Sequence, residues 1–277
     1  YTDPDPGMND RRIYWPRGKV FGGCSSINGL IFIRGQRADY DAWASAGNAG
    51  WGWDDVLPYF RRAECNDLGP GPTRGTDGPL SASSIKARHP LTEGFIGAAQ
   101  ALGVPHIEDF NTGDQEGVGY YQLTTRKGLR CSTAVAYLNP AKRRANLTIE
   151  ALAQAEKILF EGTRAVGIQY RQNGQSLTVK ARREVILSAG ALQSPQLLQL
   201  SGVGPAPLLK KFNIPAVHVL PGVGENLQDH LQIRLIYECT QPITTNDELR
   251  SPLRKLRMGL QWLLTRGGPL AIGINQG

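Results

Sequence analysis

The sequence has few cysteines and no long apolar run. Four cysteines stand at positions 24, 65, 131 and 239 of the 277 residues, never as C-x-x-C. This spacing excludes a zinc cluster and a disulfide framework, and it indicates reduced thiols in an intracellular setting. No apolar run approaches the roughly 18 residues that a membrane-spanning helix needs, so no transmembrane segment is expected. The 40% hydrophobic and 20% charged content excludes general disorder.

An initiator Met and a signal peptide are also missing. The chain opens at Tyr1 in a stretch rich in Asp and Pro, and it ends at Gly277. Both ends look like the middle of a loop. We therefore interpret the chain as the central part of a longer protein.

The positive net charge makes nucleic acid a partner to consider. The charge of +7 arises from 31 Lys and Arg against 24 Asp and Glu. These bases are scattered in pairs such as Arg61-Arg62 and Lys210-Lys211, without a stripe of bases interleaved with aromatics. A nucleic-acid partner is therefore not expected, because an anionic small ligand accounts equally well for the sign of the charge.

A glycine-rich stretch lies near the amino-terminal end. Gly22 and Gly23 precede Ser25 and Ser26, which can cap a helix, and an apolar run begins at Leu30. The pattern predicts a tight turn at the start of a helix, where bare backbone N–H groups can bind an anion such as a phosphate. An ordinary Gly-Gly turn is the alternative that this pattern leaves open.

The clearest secondary-structure pattern is found in residues 147–204. A short strand is predicted at 147–149. Three apolar segments then follow, separated by Glu-Gly at 161–162 and Asn-Gly at 173–174. These dipeptides favour tight turns, so the pattern predicts a three-stranded meander.

A strand–turn–helix pattern comes after the meander. Residues 185–188 predict a strand buried on both faces, and Ser194-Pro195 predicts the start of a helix that ends at Gly202. This is the arrangement by which an α/β sheet presents its backbone to a nucleotide. Plain βα packing remains open on the pattern alone.

The remaining segments give simpler patterns. Helices are predicted at 51–62, 91–102 and 252–266. Loops are predicted at 65–90 and 108–128, and an alternating strand at 231–239.

Two of these predicted helices have a distinct apolar face. The expected core face of the helix at 91–102 consists of Leu91, Phe95, Ala98, Ala99 and Leu102. In the helix at 252–266 the residues expected inside are Leu253, Leu256, Leu260, Leu263 and Leu264. That second helix is also basic, which leaves membrane contact open, but we favour a surface helix that covers its own core.

Two long patterns resemble the signatures of a known family. Residues 17–37 resemble the first signature of the GMC (glucose–methanol–choline) oxidoreductases, and residues 190–204 resemble the second. Shorter matches lie at 50–53, 130–132, 146–148 and 224–230. The resemblance covers essentially the whole chain and is strongest to the bacterial choline-dehydrogenase-like branch.

The resemblance implies a fold and an activity. The implied fold is α/β, with a Rossmann-like FAD-binding domain that includes the meander, interleaved with an α+β substrate domain on an antiparallel sheet. Both domains would be incomplete in this chain. The implied activity is oxidation of a primary alcohol to an aldehyde by hydride transfer to flavin N5, with an electron acceptor that the sequence does not identify.

By the same resemblance, each segment has a role. Residues 1–78 would form the FAD-contacting turn and a lid region, and residues 79–130 a segment of the substrate domain. Residues 131–225 would belong to the FAD-binding domain, and residues 226–277 would start the main substrate domain. The implied FAD-binding residues are Val20, Gly22, Gly23, Ser25, Asn28, Gly29, Leu30, Ile31, Ala155, Ala189 and Gly190.

Departures from the family pattern concern covalent attachment. Members that attach FAD covalently carry His at the position of Ile27, and isoleucine has no nucleophilic atom, so non-covalent FAD is expected. Cys24 stands where the family often has Ser, and we interpret it as a small buried substitute rather than a flavin-linked thiol.

Other parts of the family pattern are not found in this sequence. The family's Gly-x-Gly-x-x-Gly motif would precede Tyr1 and its catalytic His would follow Gly277. The four histidines, His89, His106, His218 and His230, match no catalytic motif, and His230 is interpreted as a hydrogen-bonding turn residue. We therefore assign no catalytic residue, and we expect the isolated chain to be inactive.

Two alternatives remain. One is a hydroxynitrile lyase on the same flavin fold, and the other is a truncated product without activity. The expected location is cytoplasmic, with peripheral contact to an inner membrane left open.

Overall fold

A computed structural model describes residues 1–230, 236–273 and 276 of the chain. The chain divides into two compact units, Tyr1–Leu147 with Cys239–Gly277 and Thr148–Glu238. The division into four segments at 79, 131 and 226 concerns roles in a longer protein and stays a prediction.

Helices and strands alternate along the described residues. The helices are α1 (Arg37–Ser45), α2 (Trp53–Ala63), α3 (Pro90–Ala101), α4 (Asn139–Ala141), α5 (Gly190–Leu200), α6 (Ala206–Lys211), α7 (Thr245–Arg250) and α8 (Pro252–Thr265). The strands are β1 (Ile31–Phe32), β2 (Glu64–Asn66), β3 (Leu80–Ser84), β4 (Gln122–Leu123), β5 (Thr125–Arg126), β6 (Leu129–Arg130), β7 (Gln154–Glu161), β8 (Arg164–Gln172), β9 (Gln175–Lys180), β10 (Val203–Gly204) and β11 (His218–Val219). Short 3₁₀ turns lie at Pro6–Met8, Gly23–Ser26 and Pro269–Ala271, and a π-helical turn at Ala134–Leu138.

A four-stranded sheet of order β1-β4-β3-β2 forms the centre of the first unit. Strand β4 runs antiparallel to β1 and β3, while β2 and β3 are parallel. Leu123 lies between Ile31 and Ser83 in the ladder and is 2% exposed. The strand that follows the glycine-rich turn is therefore anchored on the buried part of this sheet.

The predicted loops at 65–90 and 108–128 are wrong in part, because they contain most of β2 and all of β3, β4 and β5. The sequence of β3 is Leu-Ser-Ala-Ser-Ser, which has no alternating apolar pattern to signal a strand. Its strand conformation comes from pairing on both sides, and only Ala82 is fully buried.

The three predicted helices are confirmed as α2, α3 and α8, but two apolar faces are not where we expected them. In α3 the buried residue is Ile96, and Phe95 is 64% exposed. In α8 the buried residue is Met258, and Leu253 is 76% exposed. Residues whose expected burial is wrong are Leu91, Phe95, Ala98, Leu102, Leu253, Leu256, Leu260, Leu263 and Leu264.

Helical periodicity correctly locates an apolar stripe on α8, but it does not identify what packs against the helix. The inward face is formed instead by Met258 and the half-buried Trp262, whose Nε1 donates a hydrogen bond to the Gly128 carbonyl at 3.3 Å. None of the described helices is long and apolar enough to cross a membrane.

The second unit is built on the predicted meander, which is confirmed as β7, β8 and β9 in antiparallel order. Gly162 (φ 58°) closes the first turn. Asn173 (φ 51°) and Gly174 (φ 78°) close the second, as expected for an Asn-Gly hairpin. Helix α5 is held to the meander by Ser201, whose buried hydroxyl accepts a hydrogen bond from the Ile158 N–H at 2.8 Å.

The strands predicted at 147–149 and 185–188 are wrong, since neither segment forms a strand. Ile186 is 79% exposed rather than buried. A parallel strand needs neighbours that supply its ladder hydrogen bonds, and none of the described residues pairs with 185–188.

Helix α5 also begins earlier than predicted, at Gly190. Pro195 lies inside it, and Ser194 Oγ accepts a hydrogen bond from the Ala189 N–H at 3.1 Å. The predicted strand at 231–239 lies mainly outside the described residues, and its described part, 236–239, is not a strand.

Candidate cofactor site

The glycine-rich stretch folds into one 3₁₀ turn, Gly23–Ser26, rather than the start of an α-helix. Gly22 (φ 87°) and Gly23 (φ 53°) both adopt the left-handed conformation that favours glycine. The chain leaves the turn through Leu30, which also has a positive φ of 73°, and enters β1. The prediction of a tight turn is confirmed, and the predicted helix is wrong.

The serines of this turn do not cap a helix. Ser25 Oγ donates to the Gly22 carbonyl at 2.5 Å, and Ser26 Oγ donates to the Phe21 carbonyl at 2.8 Å. Ser25 Oγ also accepts a hydrogen bond from the Thr133 N–H at 3.0 Å. Both hydroxyls therefore bind backbone within and beside the turn and hold it closed.

Glycine stands at the positions of this turn for two different physical reasons. A β-carbon at Gly22 would lie 2.5 Å from Ser26 Oγ and 3.3 Å from Ala134 Cβ, so close packing requires glycine there. A β-carbon at Gly23 or Gly29 would meet no atom within 4 Å beyond its chain neighbours. The backbone at these two positions faces open space, and a flat or anionic group can approach it closely.

The other predicted residues of this region lie around the open turn. Val20 is 55% exposed, and Ile27 is 49% exposed at the position where some family members carry His. Cys24 is only half-buried, and its Sγ accepts a hydrogen bond from the Gly18 N–H at 3.4 Å. Cys24 was expected to be a small buried residue, and the structure buries it only in part.

A π-helical turn adjoins the glycine-rich turn. It follows Thr133 directly and places Ala134 against Gly22. Such π-helical turns are rare and are frequently found at functional sites. On the same turn, burial raises the pKa of Tyr137, with a smaller contribution from Cys131. The sequence pattern gave no signal for this element.

The predicted residues Ala155, Ala189 and Gly190 lie in the second unit. Ala155 is half-buried on β7, next to a register shift of the ladder. Ala189 and Gly190 are exposed at the start of α5, where Gly190 has a φ of 89°. Because α5 packs on β7, these residues belong to one packed substructure. Their convergence with the glycine-rich turn in the first unit stays a prediction.

A cavity of about 370 Å³ begins one residue beyond Gly190. Its walls are α5 and the turn at 224–228, which are joined by a hydrogen bond from Gln199 Nε2 to the Val223 carbonyl at 2.9 Å. None of the residues that line this cavity was predicted as a site residue from the sequence. They are Ala191, Leu192, Pro195, Gln196, Gln199, Gly224, Glu225, Asn226, Leu227 and Gln228. The sequence did carry a signal for this cavity, because all of its lining residues lie within the two family motifs at 190–204 and 224–230.

The turn after this cavity contains His230. Its backbone N–H, rather than its imidazole, donates to Asp229 Oδ1 at 2.8 Å. Across residues 1–230, 236–273 and 276, no group of three or more His, Cys, Asp or Glu side chains is arranged to bind a metal ion.

Comparison with known proteins decides the family. A family model described as GMC oxidoreductase matches residues 6–232. The chain belongs to the GMC oxidoreductase family. The resemblance seen at 17–37 and 190–204 is therefore confirmed, and so is the α/β fold class.

Relatives and solved structures extend the comparison. The chain is 50% identical over 268 residues to mitochondrial choline dehydrogenase of Mus musculus, covering 97% of this chain and 45% of that protein. It is 48% identical over 270 residues to the oxygen-dependent choline dehydrogenase of Chromohalobacter salexigens, covering 96% and 48%. The structure of an FAD-dependent oxidoreductase from Chaetomium thermophilum matches with a TM-score of 0.92 and 30% identity, covering 98% of this chain and 50% of that one. This GMC chain thus spans about half the length of these relatives.

Proposed function

We propose that this GMC chain contributes the FAD-contacting part of an enzyme that oxidises a primary alcohol to an aldehyde. The observation that carries the proposal is the glycine-rich turn, whose backbone at Gly23 and Gly29 faces open space in a member of this family. The names of the relatives make choline the first alcohol to test.

The residues of the turn fit FAD. The open backbone at Gly23 and Gly29 lets an anionic group approach closely, and Gly29 and Leu30 offer backbone to a flat ring. When bound, FAD accepts the hydride from the alcohol. The chain's own residues hold and orient the cofactor. Ile27 offers no nucleophile, so attachment at this position is non-covalent.

The second group of contacts is proposed at the start of α5. Ala189 and Gly190 expose their backbone, and Ala155 lies on the strand against which this helix packs. This arrangement suits the nucleotide end of FAD, because exposed backbone at the start of a helix can bind its phosphates. The cavity at 224–228 adds amide and carboxylate groups beside it.

The general base that removes the hydroxyl proton is not assigned to any residue of this chain. None of its four histidines matches a catalytic motif, so we propose that turnover belongs to the full-length protein and that the isolated chain is inactive. A cytoplasmic location, peripheral membrane contact and the identity of the electron acceptor stay predictions.

The test uses the full-length protein and a Gly29→Ala variant. The wild type is expected to bind FAD as a yellow protein and to reduce a dye when choline or another primary alcohol is added. Because the added methyl meets no protein atom, Gly29→Ala should keep the wild-type melting temperature without FAD and lose at least about tenfold in FAD affinity. Gly97→Ala, also in open space but in α3, is the matched control.

Three results would count against the proposal. They are a colourless wild type after reconstitution, unchanged FAD affinity in Gly29→Ala, and a yellow protein that reduces no dye with any primary alcohol. Cyanide release from mandelonitrile by that last protein would favour a hydroxynitrile lyase instead.

A further inference from the structure

We infer that Arg130 is a positioning residue for the flavin-contacting turn. Its guanidinium forms a forked pair of hydrogen bonds to Asn28, which lies 102 residues earlier in the sequence. The inference rests on the proposed function of the turn. It adds a residue that makes no cofactor contact in the proposed arrangement but determines the geometry of those that do.

The Arg130 guanidinium makes three hydrogen bonds to the turn. Nη1 donates to Asn28 Oδ1 at 2.7 Å and to the Ser25 carbonyl at 3.1 Å, and Nη2 donates to the Asn28 carbonyl at 2.9 Å. Both ends of the segment from Ser25 to Asn28 are therefore bound by one planar group. The rigid fork of arginine matches such a pair of acceptors, whereas a lysine ammonium does not.

The turn needs such external support. It is a single 3₁₀ turn, and three residues at or beside it (Gly22, Gly23 and Leu30) have positive φ values. Local hydrogen bonds of one short turn do not outweigh the conformational entropy of this segment. Asn28 contributes as well, since its Oδ1 also accepts a bond from the Leu30 N–H at 3.2 Å. The Arg130 fork thus reaches Leu30, one of the residues proposed to contact the flavin, through Asn28.

A second contact from the same strand–turn segment supports the assignment. Thr133 lies three residues after Arg130, and its N–H and Oγ1 both lie within hydrogen-bond distance of Ser25 Oγ, at 3.0 and 3.1 Å. Its Oγ1 also donates to the Gly22 carbonyl at 3.3 Å. Arg130 and Thr133 together bind both ends of the turn, so the segment 130–133 acts as its template.

The positive charge of Arg130 also favours cofactor binding at the turn. Among the ion pairs of the described residues none involves Arg130, and all three of its acceptors are uncharged oxygens. Arg130 is half-buried, so solvent screens its charge only in part. A positive charge beside the open backbone of the turn favours an anionic cofactor.

The experiment measures FAD affinity and the visible absorption spectrum of bound flavin in the full-length protein. We compare wild type, Arg130→Met, Arg130→Lys and Thr133→Val, at a temperature well below every melting transition. Arg130→Met should weaken FAD binding by about tenfold or more and shift the flavin bands, because the turn loses its template. Arg130→Lys keeps the positive charge but not the fork of two hydrogen-bonding groups. Its FAD affinity, on a logarithmic scale, should therefore lie closer to that of Arg130→Met than to that of wild type. Thr133→Val should weaken binding by a smaller factor.

The matched control is Arg126→Met, which removes an exposed arginine from the same hairpin without touching the turn. It should leave both the affinity and the spectrum unchanged. A purely structural role of Arg130 would lower the melting temperature but would not shift the flavin bands of the folded protein.

Each outcome decides the matter. A wild type that binds no FAD overturns the proposed function and this inference with it. A wild type that binds FAD while Arg130→Met binds it within twofold overturns this inference alone. Full recovery by Arg130→Lys shows that charge acts without positioning, which also overturns it. If Arg130→Met does not fold, Arg130→Lys and Thr133→Val provide the decision.

Discussion

Arg34 donates from Nη2 to Glu64 Oε2 at 2.7 Å, and both side chains are almost fully buried, at 3% and 1% exposure. The same carboxylate accepts bonds from the Gly75 N–H at 2.9 Å and from Asn66 Nδ2 at 2.7 Å. Arg34 Nη1 also donates to the Thr73 carbonyl at 2.9 Å. The pair therefore ties the loop around 73–75 to the sheet of the first unit.

Replacement of Glu64 by Gln should destabilise the first unit strongly. It leaves the buried Arg34 guanidinium without its counter-ion, and breaking a buried pair in this way costs about 3–5 kcal/mol. In the 277-residue chain all five tryptophans (15, 43, 51, 53 and 262) lie in this unit, so for that chain the urea-induced change in Trp fluorescence measures the unfolding of this unit alone. We expect the urea midpoint to fall accordingly.

The exposed pair of Arg37 and Asp54 supplies the control. Its bond is 3.0 Å long, but the side chains are 50% and 80% exposed, so Asp54→Asn should leave the urea midpoint close to that of wild type. A double replacement, Arg34→Met with Glu64→Gln, should be less destabilising than Glu64→Gln alone, because no charge is left buried and the Gln oxygen can still accept a hydrogen bond. A Glu64→Gln protein with the wild-type midpoint would contradict the argument.

The second unit depends on Ser201 in a comparable way. Its hydroxyl is 1% exposed, accepts from the Ile158 N–H and donates to the Leu197 carbonyl at 2.5 Å. Ser201→Ala leaves the Ile158 N–H buried without a partner, which costs about 1–3 kcal/mol. Amide hydrogen exchange of peptides from Gln154–Lys180 should accelerate by roughly one to two orders of magnitude. The Trp fluorescence transition, which reports the first unit, should not move.

Ser194→Ala is the matched control on the same helix. Ser194 is half-buried and its bond partner, the Ala189 N–H, is exposed, so water can replace the lost hydroxyl. Exchange of the meander amides should stay close to wild type. Equal acceleration in Ser194→Ala and Ser201→Ala would mean that burial of the hydroxyl does not matter.

Local signals determined what the sequence could predict. The meander was predictable because Asn173 and Gly174 adopt the positive φ that this dipeptide favours, and the strands follow from that turn. The glycine-rich turn was predictable for the same reason. Strand β3 was not, because its serines carry no apolar pattern and its conformation depends on β2 and β4.

Long-range contacts account for most of what was missed at the site. The bonds from Arg130 and Thr133 to the turn join residues more than 100 positions apart, and no spacing rule within one sequence identifies such partners. The exposed leucines of α8 have the same cause, since periodicity shows an apolar face but not what packs against it. The extent of α5 was missed because Ser194-Pro195 suggests a helix start, whereas Gly190 begins it.

The stability of the meander should depend on pH through Glu156. Arg171 Nε donates to Glu156 Oε1 at 2.6 Å across β7 and β8, and this bond, helped by Gln169 and Ser176, lowers the pKa of Glu156. A carboxylate with a lowered folded pKa contributes stability above its unfolded pKa, and this contribution is lost as pH falls through the folded value. The meander of wild type should therefore lose protection as pH falls from about 5 to about 3, whereas Glu156→Gln should be less stable at pH 7 and lose less.

The measurement is urea-induced unfolding of the second unit, which contains no tryptophan, followed by pulse-labelling of its meander amides at a fixed labelling pH. Glu184→Gln, which changes an exposed carboxylate outside the meander, is the control and should keep the wild-type pH dependence. High salt should reduce the difference between wild type and Glu156→Gln at pH 7, because Arg171 is 55% exposed and salt screens its charge. If the two proteins lose stability equally between pH 5 and pH 3, Glu156 is not the titrating group, and the acid sensitivity of the meander must come from another carboxylate.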